Sequence, residues 1–329
     1  MDQWILQWSN QQIVHPVLDV FMVVCTTLGL ALIPLIGIAL MQPRLAEGKL
    51  GRVLGPHLGE QHHRQNLGRV ILYACLASLL LTLLFYGLAM RPRPESTRLL
   101  LPAVPFPSFP SGHTTIAFGA ATAVWLTLKG QRNRLSSAQK GQVTILNLQI
   151  NPFLEEIILF LGLFGTASII AFSRIYLGHH YPSDIIAGVI LGLATGATVY
   201  GFSGEEKQFT QRLRWLLWPQ VALAILVTQM AYMDILPLHL LRWPYADKVM
   251  HFLLFGLIVF WLNLWLNGRT VKLFNIALPI AVIVPLTLAT IEEGFQHFSP
   301  YRTLDMLDLL CDVTGMLFFW WLSAKLLQE

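Results

Sequence analysis

Residues 16–41 read PVLDVFMVVCTTLGLALIPLIGIALM, an apolar run in which Asp19 is the only charged residue. A helix of this length is long enough to cross the ~30 Å hydrocarbon core of a bilayer. Similar runs recur near 67–90, 114–129, 154–173, 183–203, 215–234, 249–266, 273–292 and 307–325. Because backbone groups in lipid must be satisfied within their own segment, the sequence predicts an all-α integral membrane protein with about nine transmembrane helices.

The composition and the distribution of charge agree with a membrane protein. Of the 329 residues, 55% are hydrophobic and only 12% are charged, whereas soluble domains carry about 25% charged residues. Of the 22 Lys and Arg residues, 14 fall in the links at 42–66, 129–152, 203–214 and 267–272 or at Lys325. The positive-inside rule assigns these links to the cytoplasm, with the N-terminus outside and the C-terminus inside. This topology accounts for the net charge of +4, so no nucleic-acid partner is predicted.

The longest charged interruption in the second half is SGEEKQFTQRLR at residues 203–214. It divides the chain into a first membrane domain over 1–204, a cytoplasmic linker over 205–214 and a second membrane domain over 215–329. The sequence carries no signal that decides the oligomeric state.

Polar residues gather at the predicted outer ends of three spans of the first domain. The groups are Arg91 and Arg93 in MRPRPES, Ser111 and His113 in FPSGH, and Ser173, Arg174, His180 and Asp184 in FSRIYLGHHYPSD. Since neighbouring helix ends meet in a bundle, guanidinium groups, imidazoles and a carboxylate are expected to share one pocket. Guanidinium groups and the amides of a helix N-terminus bind phosphate oxygens. Taken alone, Pro-Ser-Gly-His also fits a capped turn with an interfacial histidine, but the neighbouring groups favour a phosphate site.

This arrangement resembles the signature of the phosphatidic acid phosphatase type 2 superfamily, which reads K-x6-R-P, P-S-G-H and S-R-x5-H-x3-D. The second part is complete at 110–113, and the third is complete from Ser173 to Asp184. In the first part Arg93 and Pro94 match, but Tyr86 stands where the signature has lysine. One phosphate-binding cation is therefore missing. Its possible substitutes in the sequence are Arg91, Arg98 and His179.

The resemblance implies a mechanism and the roles of individual residues. His180 would attack phosphorus and form a phosphohistidine, with Asp184 orienting its imidazole. His113 would protonate the leaving oxygen and then activate water. The implied phosphate-binding groups are Arg93, Ser111, Gly112 and Arg174. The scheme implies no metal ion and no other cofactor.

A site at the outer end of lipid-facing helices predicts a lipid phosphate as the substrate. The candidates are undecaprenyl phosphate or diphosphate, phosphatidylglycerol phosphate, phosphatidic acid and lipid A phosphates. The expected location is the bacterial inner membrane, with the active site facing the periplasm or the exterior. A transporter or binding protein for lipid phosphates is the alternative, favoured by the missing lysine. A vanadate-dependent oxidase is disfavoured because embedding in the membrane favours a lipid substrate.

The second domain carries its own polar cluster on the predicted outer side, which resembles the VanZ-like family elements D-K-x2-H, E-x2-Q and R-x5-D-x3-N-x2-G. The matching residues are Asp247, Lys248, His251, Glu293, Gln296, Arg302, Asp305, Asp308 and Asp312. Asp312 stands where that family usually has asparagine. Three interpretations remain open from the sequence: an ion-pair network that pins helices together, a divalent metal site, or a role in delivering a long lipid to the phosphatase pocket.

Overall fold

The computed structural model describes residues 2–42, 61–95, 97–102, 104–134, 152–204, 209–236, 243–273, 275–296 and 306–328. The chain forms two compact units, Met1–Ser203 and Gly204–Glu329. Both are built from helices, and the predicted all-α membrane fold is confirmed. Arg302 and Asp305, which were predicted to belong to the second polar cluster, lie outside the described residues. For Glu293 and Gln296 only the helical backbone is described.

The described part of the first unit contains a short N-terminal helix and five long ones. Its elements are α1 (Asp2–Gln7), a π-helical turn (Trp8–Gln12), α2 (Pro16–Met41), α3 (Gln61–Ala89), α4 (Gly112–Arg134), α5 (Pro152–Tyr176) and α6 (Pro182–Ser203). Helix α4 packs against α2, α3, α5 and α6. Since its neighbours shield it from lipid, α4 can carry buried polar and small residues such as Thr114, Thr115 and Ala123.

Seven helices in the described part of the chain are long and apolar enough to cross a membrane, and α4 is not among them. The central position of α4 explains this, because a helix surrounded by other helices does not need an apolar surface. Three of the seven belong to the second unit. The predicted count of about nine spans is therefore approximate.

A row of glycines brings α4 and α6 into close contact, which holds the N-terminal half of α4 beside α6. Gly188, Gly192 and Gly196 follow one another at four-residue spacing on α6. A Cβ atom at Gly192 would lie 2.7 Å from the Thr115 carbonyl oxygen, and one at Gly196 would lie 2.4 Å from the Gly119 carbonyl oxygen. Small residues at such a spacing allow two membrane helices to approach at backbone distance.

The Gly196→Ala substitution should therefore lower the melting temperature of the detergent-solubilised protein. The added methyl group would push against a backbone oxygen, and overpacking of this kind costs about 1–3 kcal/mol. Gly162→Ala on α5 is the matched control, because nothing lies within 4 Å of a Cβ atom at that position. Equal melting temperatures for the two variants would contradict the close α4–α6 contact.

Where the structure describes it, the second unit is also helical, apart from one hairpin. Its elements are α7 (Phe209–Leu213), a 3-10 turn (Arg214–Leu216), α8 (Leu217–Tyr232), α9 (Ala246–Trp265), β1 (Thr270–Leu273), β2 (Ile276–Pro279), α10 (Ile280–Gln296) and α11 (Met306–Leu326). Helices α9 and α11 form its main packing pair. At their crossing a Cβ atom on Gly315 would lie 2.2 Å from the Phe252 carbonyl oxygen.

The predicted helix over 273–292 was wrong at its start. Strands β1 and β2 pair in antiparallel register, and the helix begins only at Ile280. Asn275, next to the turn, has a φ of 66°, a conformation that asparagine tolerates better than most residues. The β-branched residues Thr270, Val271 and Ile276 favour strands. Apolar character alone therefore did not distinguish a short hairpin from the first turns of a span.

Candidate active site

The three motif groups of the first unit meet at one end of its helix bundle. The connection from α3 to α4 contributes Arg93, the N-terminus of α4 contributes His113, and the turn between α5 and α6 contributes His180. Hydrogen bonds join these segments directly. The Ser111 amide donates to the Asp184 carbonyl oxygen at 3.0 Å, and Arg93 Nη1 donates to the His179 carbonyl oxygen at 2.8 Å. The sequence-predicted residues of the phosphate site are thus neighbours in the structure.

The side chain of His180 is held in one orientation by the backbone. Its Nδ1 lies 2.8 Å from the Ser108 carbonyl oxygen, which can only accept a hydrogen bond. Nδ1 therefore carries the proton, and Nε2 keeps the lone pair. Arg93 Nη1 lies 3.3 Å from this Nε2. Burial, together with the nearby charges of Arg174 and Arg93, lowers the pKa of His180 well below its usual value, so the imidazole is neutral at pH 7.

Asp184 lies beside His180 but is not its hydrogen-bond acceptor. Asp184 Oδ2 is 3.6 Å from His180 Nδ1, which is too long for a hydrogen bond, and it accepts instead from the Tyr181 amide at 2.9 Å. The expectation that Asp184 orients the imidazole therefore needs refinement. Ser108 supplies the hydrogen bond, and the fully buried carboxylate supplies negative charge close to the ring. Helix α6 begins at Pro182, which places Asp184 in its first turn.

The two arginines of the signature are held differently. Arg93 Nε donates to the Phe106 carbonyl oxygen at 2.8 Å, so hydrogen bonds to backbone oxygens fix its guanidinium beside His180. Arg174 is buried, and its Nη1 donates to the Thr26 hydroxyl at 2.9 Å. Its Nε, also buried, has no hydrogen-bond partner among the described residues. Both arginines thus retain capacity to bind an anion.

The N-terminus of α4 presents the Pro-Ser-Gly-His segment to this pocket. Ser111 is fully buried and precedes the helix, and its carbonyl oxygen accepts from the Thr115 amide at 3.0 Å. Its hydroxyl oxygen accepts from the Thr114 hydroxyl at 3.0 Å. His113 is half-buried in the first turn. The amides of this turn carry the partial positive charge of a helix N-terminus.

Tyr86 does reach the pocket, although it replaces the lysine of the signature. Its ring stacks on Phe106 with 6.4 Å between centroids. Its hydroxyl oxygen would lie 3.5 Å from a Cβ atom on Gly112 and is within electrostatic reach of Arg93. The absence of a side chain at Gly112 permits this close approach of α3 to α4. A neutral hydroxyl thus stands where the signature places a cation.

Arg91 and Asp2 form a support for Asp184 that the sequence analysis did not identify. Arg91 Nη1 lies 2.5 Å from Asp184 Oδ1, and Arg91 Nη2 lies 3.0 Å from Asp2 Oδ2. Asp2 also accepts from the Ser183 amide at 3.0 Å, and the Arg91 guanidinium lies 4.1 Å from the centre of the Tyr181 ring. The N-terminal helix is thereby tied to the first turn of α6. A single acidic residue at the start of the chain gave no sequence signal for this contact.

The Arg91→Gln substitution should destabilise the protein and reduce its activity. Asp184 has no exposed side-chain surface, and removing one partner of a buried ion pair costs about 3–5 kcal/mol. Lys129→Gln is the control, because its pair with Glu156 is 41% and 36% exposed and exposed pairs contribute about 0–1 kcal/mol. Melting temperatures of the two variants test this, and a loss for Lys129→Gln as large as that for Arg91→Gln would contradict the supporting role of Arg91.

The described members of the second cluster form an ion-pair network between α9 and α11. Lys248 Nζ lies 2.5 Å from Asp308 Oδ1 and 3.1 Å from Asp247 Oδ2. His251 Nδ1 lies 3.0 Å from Asp312 Oδ1. No group of three or more His, Cys, Asp or Glu within the described ranges is spaced to hold a metal ion. These contacts favour the helix-pinning interpretation for this part of the cluster.

Comparisons with known proteins agree with both resemblances. The PAP2 superfamily matches residues 67–208, and VanZ/LLP1 matches residues 185–328. No curated protein matches the chain.

Two similar solved structures are known. One is a transmembrane PAP2 type phosphatidylglycerolphosphate phosphatase from Bacillus subtilis, which is 23% identical in sequence. Its match covers 63% of this chain and 87% of that chain, with a TM-score of 0.44. The other is LpxE from Aquifex aeolicus, which is 22% identical; its match covers 60% of this chain and 93% of that chain, with a TM-score of 0.35. On the two family matches, the chain is a fusion of a PAP2 superfamily domain with a VanZ/LLP1 domain.

Proposed function

We propose that this protein is a membrane lipid phosphatase that works through a phosphohistidine on His180. The observation that carries the proposal is the state of that side chain. A buried, neutral imidazole has its Nδ1 proton fixed on Ser108 and its Nε2 lone pair beside Arg93. A protein that only binds phosphate needs cations, whereas an oriented neutral imidazole beside a cation is the arrangement that nucleophilic attack requires.

In the first step His180 Nε2 attacks the phosphorus atom, and the bond from phosphorus to the lipid oxygen breaks. Arg93, Arg174, Ser111 and the Gly112 amide hold the phosphoryl oxygens as charge develops on them. His113 donates a proton to the departing lipid oxygen. The positive charge that forms on the His180 ring is stabilised by Asp184, whose Oδ2 lies 3.6 Å from Nδ1.

In the second step water replaces the lipid. His113, now deprotonated, accepts a proton from water, and the resulting hydroxide attacks the phosphohistidine. The bond between phosphorus and Nε2 breaks, which returns the lone pair to His180 and releases inorganic phosphate. The same residue thus acts first as a general acid and then as a general base.

The surroundings of the site favour a lipid substrate. Helix α3 exposes Leu76, Leu80 and Leu84, an apolar face suited to contact with lipid tails. We propose that the phosphate group enters the pocket while the tail stays in the bilayer. The candidates remain undecaprenyl phosphate or diphosphate, phosphatidylglycerol phosphate, phosphatidic acid and lipid A phosphates. The proposed location is the bacterial inner membrane, with the site facing the periplasm or the exterior.

Activity should be inhibited by vanadate and should survive treatment with a chelator. Vanadate adopts the pentacoordinate geometry of the transition state when bound to an imidazole nitrogen, and the proposed scheme uses only side chains and a backbone amide of the protein. Phosphate release should be measured with and without EDTA and over a vanadate series. Loss of activity in EDTA that a divalent cation restores would indicate metal-assisted hydrolysis instead.

A further inference from the structure

Of the three possible substitutes for the missing lysine, two are already paired in the structure. Arg91 is bound by Asp184 and Asp2. Arg98 makes a two-pronged pair with Asp19, with both nitrogen–oxygen distances at 2.9 Å. A guanidinium neutralised by carboxylates offers little net charge to a phosphate. His179 is the remaining candidate.

The side chain of His179 is buried without a partner. Only 1% of the residue is exposed, and neither of its ring nitrogens has a hydrogen-bond partner among the described residues. Buried polar atoms are nearly always hydrogen-bonded, and each exception calls for an explanation. His180, the next residue, does have a partner at both ring nitrogens. A ligand that occupies the pocket would supply the partner that His179 lacks.

His179 lies at the phosphate pocket rather than elsewhere in the core. Its carbonyl oxygen accepts from Arg93 at 2.8 Å, and its amide donates to the Arg174 carbonyl oxygen at 3.1 Å. The ring is within electrostatic reach of Arg174, Arg93, His180 and His113. The Arg174 Nε is likewise buried without a partner among the described residues. Two neighbouring side chains with unused nitrogens in one pocket point to a bound oxyanion.

The charge state of His179 determines which hydrogen bonds its ring can make. Burial and the nearby charges of Arg174, Arg93 and His180 lower the pKa of His179 to about 4. At pH 7 the ring is therefore neutral and presents one N–H donor and one acceptor nitrogen. It supplies a hydrogen bond to an oxyanion without adding a positive charge.

We propose that His179 is a further substrate-binding residue, whose ring N–H donates to an oxygen of the phosphoryl group held by Arg93 and Arg174. The inference rests on the proposed function, because it concerns the same pocket. With His179 in this role, a neutral donor replaces the missing cation. The phosphate site of this chain then differs from the site that the signature describes. The pocket then carries two guanidinium groups for a phosphoryl group, without a third cation.

Two variants of nearly equal size test the proposal, His179→Leu and His179→Asn. The leucine variant removes the ring nitrogens, and the asparagine variant restores an N–H donor. Orthovanadate affinity is measured from the rise in melting temperature that vanadate causes, which requires no turnover. We expect vanadate binding to weaken about 10- to 100-fold in His179→Leu, as for the loss of one hydrogen bond to a charged group. His179→Asn should recover part of that loss.

The stability of the ligand-free protein separates a binding role from a structural one. Because His179→Leu removes two unpaired buried nitrogens, its melting temperature without vanadate should equal or exceed that of the wild type. A lowered melting temperature without vanadate, together with vanadate binding that is weakened equally in both variants, would overturn the proposal. Unchanged vanadate affinity in His179→Leu would also overturn it.

The same experiment distinguishes this inference from the proposed function. If vanadate stabilises the wild type but the wild type releases no phosphate from lipid phosphates, the proposed phosphatase activity is contradicted. The comparison of His179→Leu with His179→Asn would still decide the role of His179. A wild-type protein that vanadate does not stabilise would overturn the inference directly.

Discussion

Replacing His180 with alanine should abolish phosphate release from a lipid phosphate, with kcat falling by at least about 10⁴-fold. Removing the nucleophile of an enzyme that uses a covalent intermediate has effects of this size or larger. Of the pocket histidines in the described part of the chain, His180 is the one whose Nδ1 lies at a carbonyl oxygen while its Nε2 lies beside a guanidinium. His179 precedes it in the same turn, but its backbone, not its ring, is held by Arg93. The comparison is of initial rates for purified wild type and variant in the same detergent.

Controls must separate lost chemistry from lost folding, because His180 is buried. His180→Asn is expected to keep a donor for the Ser108 carbonyl oxygen while losing the nucleophile, so it should fold and be inactive. His63→Ala changes an exposed histidine on α3 and should leave activity unchanged. Substantial turnover by a folded His180→Asn variant would contradict the assignment of the nucleophile.

The His113→Ala variant should lose activity in a way that depends on the leaving group. General acid catalysis contributes about 10²- to 10⁴-fold, and its contribution is greatest when the leaving oxygen is a poor one. An alkyl phosphate with a lipid-like alcohol needs a proton on its leaving oxygen, whereas an aryl phosphate such as p-nitrophenyl phosphate needs it much less. We therefore expect a large fall in the rate of hydrolysis of the alkyl ester. For the aryl ester, the rate of the first step should fall much less.

The two steps can be measured separately for this variant. Release of p-nitrophenol reports the first step, and release of inorganic phosphate reports the second. Because the proposed second step also uses His113 to activate water, His113→Ala should accumulate phosphohistidine during turnover of the aryl ester. Equal losses on both esters, with no accumulated intermediate, would contradict the role of His113 as acid and base.

The sequence predicted the helical membrane fold well because lipid imposes a simple rule on each span. It was less accurate where the neighbours of a segment, rather than lipid, decide its composition. Helix α4 is surrounded by other helices and carries Thr114 and Thr115 inside the bundle. The segment 276–279 is apolar but forms a strand. Local hydropathy contains no information about either situation.

The grouping of the motif residues could be predicted from their places at three helix ends, but their contacts could not. The acceptor for His180 is the carbonyl oxygen of Ser108, 72 positions earlier in the chain. Every residue has such a carbonyl, so the sequence gives no sign of it. Asp2 reaches Ser183 across 181 positions, and a single acidic residue gives no indication of its distant partner. These contacts depend on how the helices pack.

Release of inorganic phosphate from lipid phosphates is the decisive measurement of whether the protein is a phosphatase. The full-length protein is purified in detergent and assayed with phosphatidylglycerol phosphate, phosphatidic acid, undecaprenyl phosphate, undecaprenyl diphosphate and lipid A, alongside folded His180→Asn. The wild type should release phosphate from at least one of these lipids, vanadate should inhibit that release, and the variant should release none. Vanadate binding by the wild type without phosphate release from any of them would contradict the proposed phosphatase activity and indicate a protein that binds lipid phosphates without turnover.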